Sequence, residues 1–254
     1  MKTKYIISKD GAKIAYSTSG HGPALFLVHG MGAEKSMWNE MGWVEVLKEH
    51  FTTIAVDIRG YGESDKSYEP EFYAIENILA DLNMIIKECG FSHYCYFGHS
   101  YGATIGLQVS RNNPDIKKIV CAGSTFGDAF FKKIVPNWIS EYEKLILGKK
   151  LNQLHDLNLS VAEIEWVEKN DLELKLAQLK AWNQWAGIEP DEISSDLAIY
   201  SGTNDYPFLL EILKKQQDQM RKYSINFKIF DQLDHVDLVK KIDIVTPWVL
   251  KHLL

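Results

Sequence analysis

The chain has 254 residues, 46% of them apolar and 24% charged, with a net charge of −6. That length suits one large α/β domain with an insertion, and the acidic balance disfavours a nucleic-acid partner, which would need a basic stripe. No apolar stretch approaches the ~20 residues of a membrane helix, and "MKTKYIISKDGAKIAY" lacks the apolar core of a signal peptide, so a cytoplasmic location is expected.

In chain order, "KYIISKDGAKIAYSTSG" predicts a hairpin, with two alternating runs around Asp10-Gly11. "PALFLVHG" and "FTTIAVDIRG" are continuous apolar runs, as expected of strands buried on both faces. "FYAIENILADLNMIIKECG" places Ile75, Ile78, Leu79, Leu82, Ile85 and Ile86 on one face of a helix that ends at Gly90. "HYCYFGHS" and "IKKIVCAGS" are two more strands. Residues 125–195 break the rhythm: "VPNWISEYEKLILGKK", "SVAEIEWVEKN" and "DLELKLAQLKAWNQWAG" are helical in pattern, with no convincing strand. "DLAIYSGTND" and "NFKIFDQLDH" return to strands. "DYPFLLEILKKQQDQMRKYS" and "DHVDLVKKIDIVTPWVLKHLL" predict helices, the last kinked or broken at Pro247. Strands alternating with helices imply a doubly wound, mostly parallel α/β sheet of about eight strands. The core is then 1–124 and 196–254, with a helical insertion over 125–195. The three cysteines, Cys89, Cys95 and Cys121, have no metal or redox spacing, and Cys95 and Cys121 fall inside apolar runs as buried thiols.

The most informative stretch is "CYFGHSYGATIGL", residues 95–107. Gly98-His99-Ser100-Tyr101-Gly102 is a G-x-S-x-G pattern between a strand and a helix. Glycines let the two elements approach around a sharp turn. The turn lifts the Ser100 hydroxyl out of the packing, beside free N–H groups of the helix. A hydroxyl so placed can attack a carbonyl while backbone donors meet the developing negative charge. A glycine-rich turn with an incidental serine is the plainer alternative.

With "LVHGMG" at 27–32, "DIRGYGESD" at 57–65, "GTNDYP" at 202–207 and "DHVDL" at 234–238, the chain resembles the α/β-hydrolase fold superfamily. It looks most like capped members that hydrolyse small esters and related acyl compounds. The resemblance implies the order nucleophile, acid, histidine. Only His155, His235 and His252 follow Ser100, and His235 stands at a strand's C-terminal end, so it is the expected base. The resemblance favours Asp205 as the carboxylate that orients it, with Asp128 as the rival. Asp234 and Asp237 are too close to His235 along the chain. The resemblance also assigns oxyanion donors to the backbone N–H groups of Met31 and Tyr101. His29 and His99 are read as structural, and Asp57 and Arg59 as braces of loops at the site rim.

Trp138, Trp182 and Trp185, with Phe126 at the entrance of the insertion, are candidates for the substrate pocket. Packing of the insertion against the core would use the same rings, and Trp182 and Trp185 are spaced for one helical face. No metal-ligand spacing and no nucleotide-binding motif occurs, so no cofactor is expected. The expected partner is a small molecule with an apolar part. Apolar helix faces could pack within the chain or across a homodimer. The expected reaction is ester hydrolysis through an acyl-enzyme. Thioesters, lactones and C–C bonds next to a ketone use the same machinery, and a slow-turnover ligand receptor would keep the same residues. Epoxide-hydrolase and dehalogenase branches resemble this fold with Asp, not Ser, at the elbow.

Overall fold

The structure, a computed structural model, describes residues 2–254. Each apolar run becomes a strand: β1 (Thr3–Ile7), β2 (Lys13–Ser19), β3 (Ala24–Val28), β4 (Thr52–Val56), β5 (Tyr94–His99), β6 (Ile116–Ala122), β7 (Asp196–Gly202) and β8 (Asn226–Phe230). They form one eight-stranded sheet in the order β1-β2-β4-β3-β5-β6-β7-β8. The β1–β2 and β2–β4 pairs are antiparallel, and every later pair is parallel. In the β1–β2 turn Gly11 takes a left-handed φ of 89°, and the Ser8 N–H donates to the Ala12 carbonyl at 2.7 Å.

The helices are α1 (Met37–Glu40), α2 (Trp43–Leu47), α3 (Ile75–Glu88), α4 (Tyr101–Ser110), α5 (Val135–Lys150), α6 (Val161–Lys169), α7 (Leu172–Trp182), α8 (Pro207–Lys222), α9 (Asp237–Lys240) and α10 (Ile242–Leu253). They cover both faces of the sheet. Along β3, alternate residues belong to different cores, because successive side chains point to opposite faces. Phe26 and Val28 pack with Ile78 and Leu82 of α3, Ile105 of α4 and Leu213 of α8. Leu25 and Leu27 pack with Trp38, Trp43, Val245 and Val249 from α1, α2 and α10. A parallel sheet buried on both sides needs such continuous apolar strands, which is why they were readable as runs.

Between β6 and β7 the chain holds α5, α6 and α7, a π-type turn and two short 3₁₀ turns, with no strand of the sheet. The C-terminal helix differs from expectation. It runs through Pro247, and the interruption falls at Lys241, where φ −85° and ψ 60° separate α9 from α10. Three free thiols are present, with Cys95 and Cys121 buried. Among the described residues no helix is long and apolar enough to cross a membrane.

Candidate active site

Ser100 occupies the single residue between β5 and α4. Its φ of 53° and ψ of −112° place a non-glycine residue in a left-handed, strained backbone. Such strain costs on the order of 1–3 kcal/mol and persists only where neighbours enforce it. The flanking glycines explain how they do. A Cβ on Gly98 would overlap the Gly102 carbonyl, and one on Gly102 would overlap the Val28 carbonyl and lie 2.7 Å from that of His29. The elbow is thus pressed between β5 and β3 with no room for a methyl group. The Ser100 N–H donates to the Ala122 carbonyl at 2.8 Å, pinning the turn to β6.

Asp205 follows β7 and is buried. Its Oδ1 accepts from His235 Nδ1 and from the Tyr206 N–H, each at 2.7 Å, and its Oδ2 accepts from the Ser201 hydroxyl at 2.7 Å. Burial pushes the carboxyl pKa up, but the His235 contact and the other donors outweigh it and hold the pKa below the usual range. His235 lies between β8 and α9. Its Nε2 meets Ser100 Oγ at 2.8 Å. The carboxylate Asp205, the imidazole of His235 and the hydroxyl of Ser100 therefore form one hydrogen-bonded line. With Nδ1–H donating to Asp205, Nε2 is left as an acceptor facing the serine.

The rival acids are engaged elsewhere. Asp128 accepts from the Gly187 N–H at 2.6 Å and pairs with Lys132. Asp234 accepts from the N–H groups of Val236 and Asp237 at 2.9 and 2.8 Å, turning the loop that presents His235.

His99 does more than pack. Its Nε2–H donates to the His235 carbonyl at 2.8 Å, tying the elbow strand to the histidine loop. Burial and the neighbouring His235 push its pKa down to about 3, so it stays neutral. Gly123 completes this corner: at φ 69° it has no Cβ, and one would sit 2.8 Å from His235 Cε1. His29 is fully buried; its Nε2 accepts from the Ile58 N–H at 3.2 Å, so Nδ1 carries the proton and donates to the Gly30 carbonyl at 2.8 Å. That bond shapes the Gly30-Met31-Gly32 segment after β3. At Gly30 a Cβ would lie 3.3 Å from Ser100 Cβ, so this loop runs directly against the serine. Neither the Met31 N–H nor the Tyr101 N–H donates to another backbone carbonyl in the loop and cap network.

Asp57 braces the next stretch of this loop, accepting from the Lys35 N–H and ammonium and from the Glu63 N–H at 2.6, 2.7 and 3.0 Å. Arg59 differs from expectation. It turns away to bind Asp81 of α3, and Ser8 and Asp10 of the β1–β2 turn. Its charge is needed there because Asp81 is itself buried.

Ser100 and His235 stand between two spaces. On one side is a chamber with about 410 Å³ of empty space, part of it open to solvent. Phe130, Phe131, Trp138, Trp182, Phe208 and Leu209 give it an apolar lining, and Thr104 and Ser124 add hydroxyls. On the other side a broader cleft of about 1210 Å³, also partly open, runs along Met31 and Met37 to α7. Trp138, Trp182 and Tyr206 border both spaces. Two expected pocket residues do not reach the chamber. Phe126 is wholly buried in the core, its backbone held by Gln216. Trp185 lies beyond the end of α7, not on its face, and stacks on Tyr101 at 5.5 Å. Phe208 and Leu209 were missed by sequence reasoning; they open α8 as an apolar pair, with no signal of which way they face.

The alpha/beta hydrolase fold profile matches residues 23–207. The chain is 31% identical over 100 residues to RutD of Enterobacter cloacae, named as a carbamate hydrolase; the match covers 39% of this chain and 36% of that one. It is 26% identical over 171 residues to epoxide hydrolase 3 of Xenopus tropicalis, covering 65% of this chain and 46% of that one. The match thus spans less than half the length of either relative. An epoxide hydrolase structure from metagenomes of hot environments superposes with a TM-score of 0.74 at 16% identity, covering 100% of this chain and 99% of that one. With the profile spanning most of its length and the same fold in that structure, the chain belongs to the alpha/beta hydrolase fold family.

Proposed function

We propose that the protein is a serine hydrolase that cleaves a small to medium ester or related acyl compound through an acyl-enzyme. The observation that carries this is the line Asp205–His235–Ser100, with contacts of 2.7 and 2.8 Å. In that mechanism His235 Nε2 takes the Ser100 proton as Oγ attacks the substrate carbonyl. Asp205 fixes the tautomer and stabilises the imidazolium that forms. The oxygen of the tetrahedral intermediate lies against the Met31 and Tyr101 N–H groups. His235 then protonates the leaving group, and water repeats the sequence to release the acid.

Several relatives are named as epoxide hydrolases, but the nucleophile argues for acyl chemistry. A serine alkoxide opening an epoxide would leave an ether, which water and a histidine do not cleave. A serine attacking an acyl carbon leaves an ester, which they do. The name of RutD, a carbamate hydrolase, fits the same reaction type. The helical segment 125–195 serves as a cap whose rings shape the chamber and keep water out. Three free thiols fit a cytoplasmic setting.

The test is hydrolysis of p-nitrophenyl esters over a series of acyl lengths, with Ser100→Ala beside wild type. Wild type turns over with a length optimum and Ser100→Ala loses nearly all kcat, a drop on the order of 10⁶ for a triad nucleophile. Full activity in Ser100→Ala would remove Ser100 from the mechanism. A fluorophosphonate probe should label wild type and not the variant.

A further inference from the structure

Lys175 lies on α7, on the wall of the cleft that holds Ser100 and His235. Its ammonium lies 4.0 Å from where a Cβ on Gly32 would be, next to the Met31 loop. It sits over the Trp166 ring at 5.9 Å from the centroid. Among the described residues it makes no salt bridge, although the chain is acidic overall.

The obvious partner is Asp171, one helical turn earlier. Its carboxylate is used otherwise, accepting from the Leu174 N–H at 3.0 Å and the Tyr68 hydroxyl at 2.8 Å. Glu34 borders a neighbouring groove with Lys175 and accepts from the Ser36 hydroxyl at 3.0 Å. No aspartate or glutamate lines the Ser100 cleft among the described residues; Lys175 is its one lysine. Burial lowers the Lys175 pKa and the Asp171 charge opposes this only in part. A half-buried ammonium with no salt-bridge contact is costly, and a ligand anion would relieve it.

We infer that Lys175 is a specificity-determining residue that seats a carboxylate on one arm of the substrate, while the other, apolar arm fills the chamber beyond Ser100. This deepens the acyl-hydrolase function proposed above and rests on it. The two spaces meeting at Ser100 differ in the required way: both carry aromatic rings, but only the cleft carries a lysine. One lysine matches a carboxylate better than a phosphate dianion, which calls for more positive charge. The carboxylate only binds; the bond cleaved remains the acyl bond at Ser100.

The experiment compares mono-p-nitrophenyl esters of succinate, glutarate and adipate with their neutral methyl diesters. In wild type the ratio of kcat/KM, anionic over neutral, peaks at the length that reaches Lys175. Lys175→Met keeps the aliphatic stem and lowers that ratio about tenfold or more, as for loss of a charged hydrogen bond. Lys175→Arg retains most of it and Lys175→Glu inverts it. In wild type, added salt weakens turnover of the anionic ester more than the neutral one. Equal ratios in wild type and Lys175→Met at all three lengths, with turnover dependent on Ser100, would overturn the inference and leave the hydrolase intact. Turnover that persists in Ser100→Ala would overturn the hydrolase instead. A binding measurement decides the inference in that case: glutarate binds Ser100→Ala, and the affinity falls about tenfold in Ser100→Ala/Lys175→Met. No difference between those two proteins would overturn it.

Discussion

Asp205→Asn separates the charge of this residue from its shape. Oδ1 faces two donors, His235 Nδ1 and the Tyr206 N–H, while Oδ2 faces the Ser201 hydroxyl, all at 2.7 Å. An asparagine that keeps its oxygen in the Oδ1 position retains the first two bonds. Its NH₂ then faces Ser201, whose hydroxyl can rotate to accept. The histidine tautomer survives and only the negative charge is lost. That charge matters when His235 becomes cationic in the transition state. At ~4 Å between charge centres and an effective dielectric of about 20, the pair is worth about 4 kcal/mol, or roughly a thousandfold in rate. Steady-state hydrolysis of the best p-nitrophenyl ester should therefore show kcat down about 10³-fold with KM little changed. Asp128→Asn, altering a carboxylate bound to Gly187 and Lys132, should leave kcat within a few-fold of wild type. The thermal behaviour gives a second readout. Because the folded pKa of Asp205 lies below its ordinary 3.8, its charge stabilises the fold above that pH and the gain is lost as pH falls through the folded value. The variant should melt below wild type at neutral pH, and the gap should close in acid. If Asp205→Asn kept kcat within tenfold while Asp128→Asn lost it, the acid would have been placed on the wrong strand.

Gly102→Ala should lower the melting temperature, because its Cβ meets the Val28 and His29 carbonyls, which cannot move aside as a side chain would. Overpacking costs about 1–3 kcal/mol, and each kcal/mol is worth roughly 2–4 °C in a chain of this size; an unchanged melting temperature would contradict the close approach. For His99, the unfolded form takes a proton near 6.5 and the folded form resists until about 3. The unfolded state binds more protons in that window, so stability rises with pH across it, by about 1.4 kcal/mol per unit for one proton. Urea unfolding of His99→Phe from pH 6.5 to 4 should show a slope shallower by about one proton, and equal slopes would mean that His99 is charged in the fold.

What could be read in the chain follows from what is local. The central parallel strands stood out because a sheet covered on both faces selects unbroken apolar runs, and β1 and β2 because two alternating runs flank the Asp10-Gly11 turn. Ser100 was legible because the elbow demands glycine on either side. The strand order was not, because it depends on pairings such as Tyr16 with Val56 that no local pattern encodes. Helices α1 and α2, of four and five residues, are too short to show a period. Phe126 and Trp185 were misplaced because an aromatic ring declares burial without declaring which cavity it faces. Pro247 was read as a kink or break, and α10 is not broken there. Tertiary packing of Val245, Val249 and Leu253 overrides the local penalty there. Nothing local in the sequence distinguishes Lys175 from other lysines; the employment of Asp171 elsewhere marks it.

Under the proposed function, the linkages behind Ser100 let the helical segment set specificity without disturbing the chemistry. The Ser100 N–H is bonded to the Ala122 carbonyl and the Gly123 N–H to that of Tyr200, at 2.8 and 2.9 Å. His99 holds the His235 carbonyl from the end of β5. Ser201, the penultimate residue of β7, holds Asp205. The ends of β5, β6 and β7 and the histidine loop are thus tied to one another by bonds that involve no residue between 125 and 195. Reacting groups on such a frame keep their separations because parallel strands at the centre of a sheet shift little. The rings and the ammonium that line the spaces beside Ser100, Phe130, Trp138, Lys175 and Trp182, lie instead on the helical segment. Substitution there should change which ester is accepted, whereas substitution in the frame should change kcat for every ester alike.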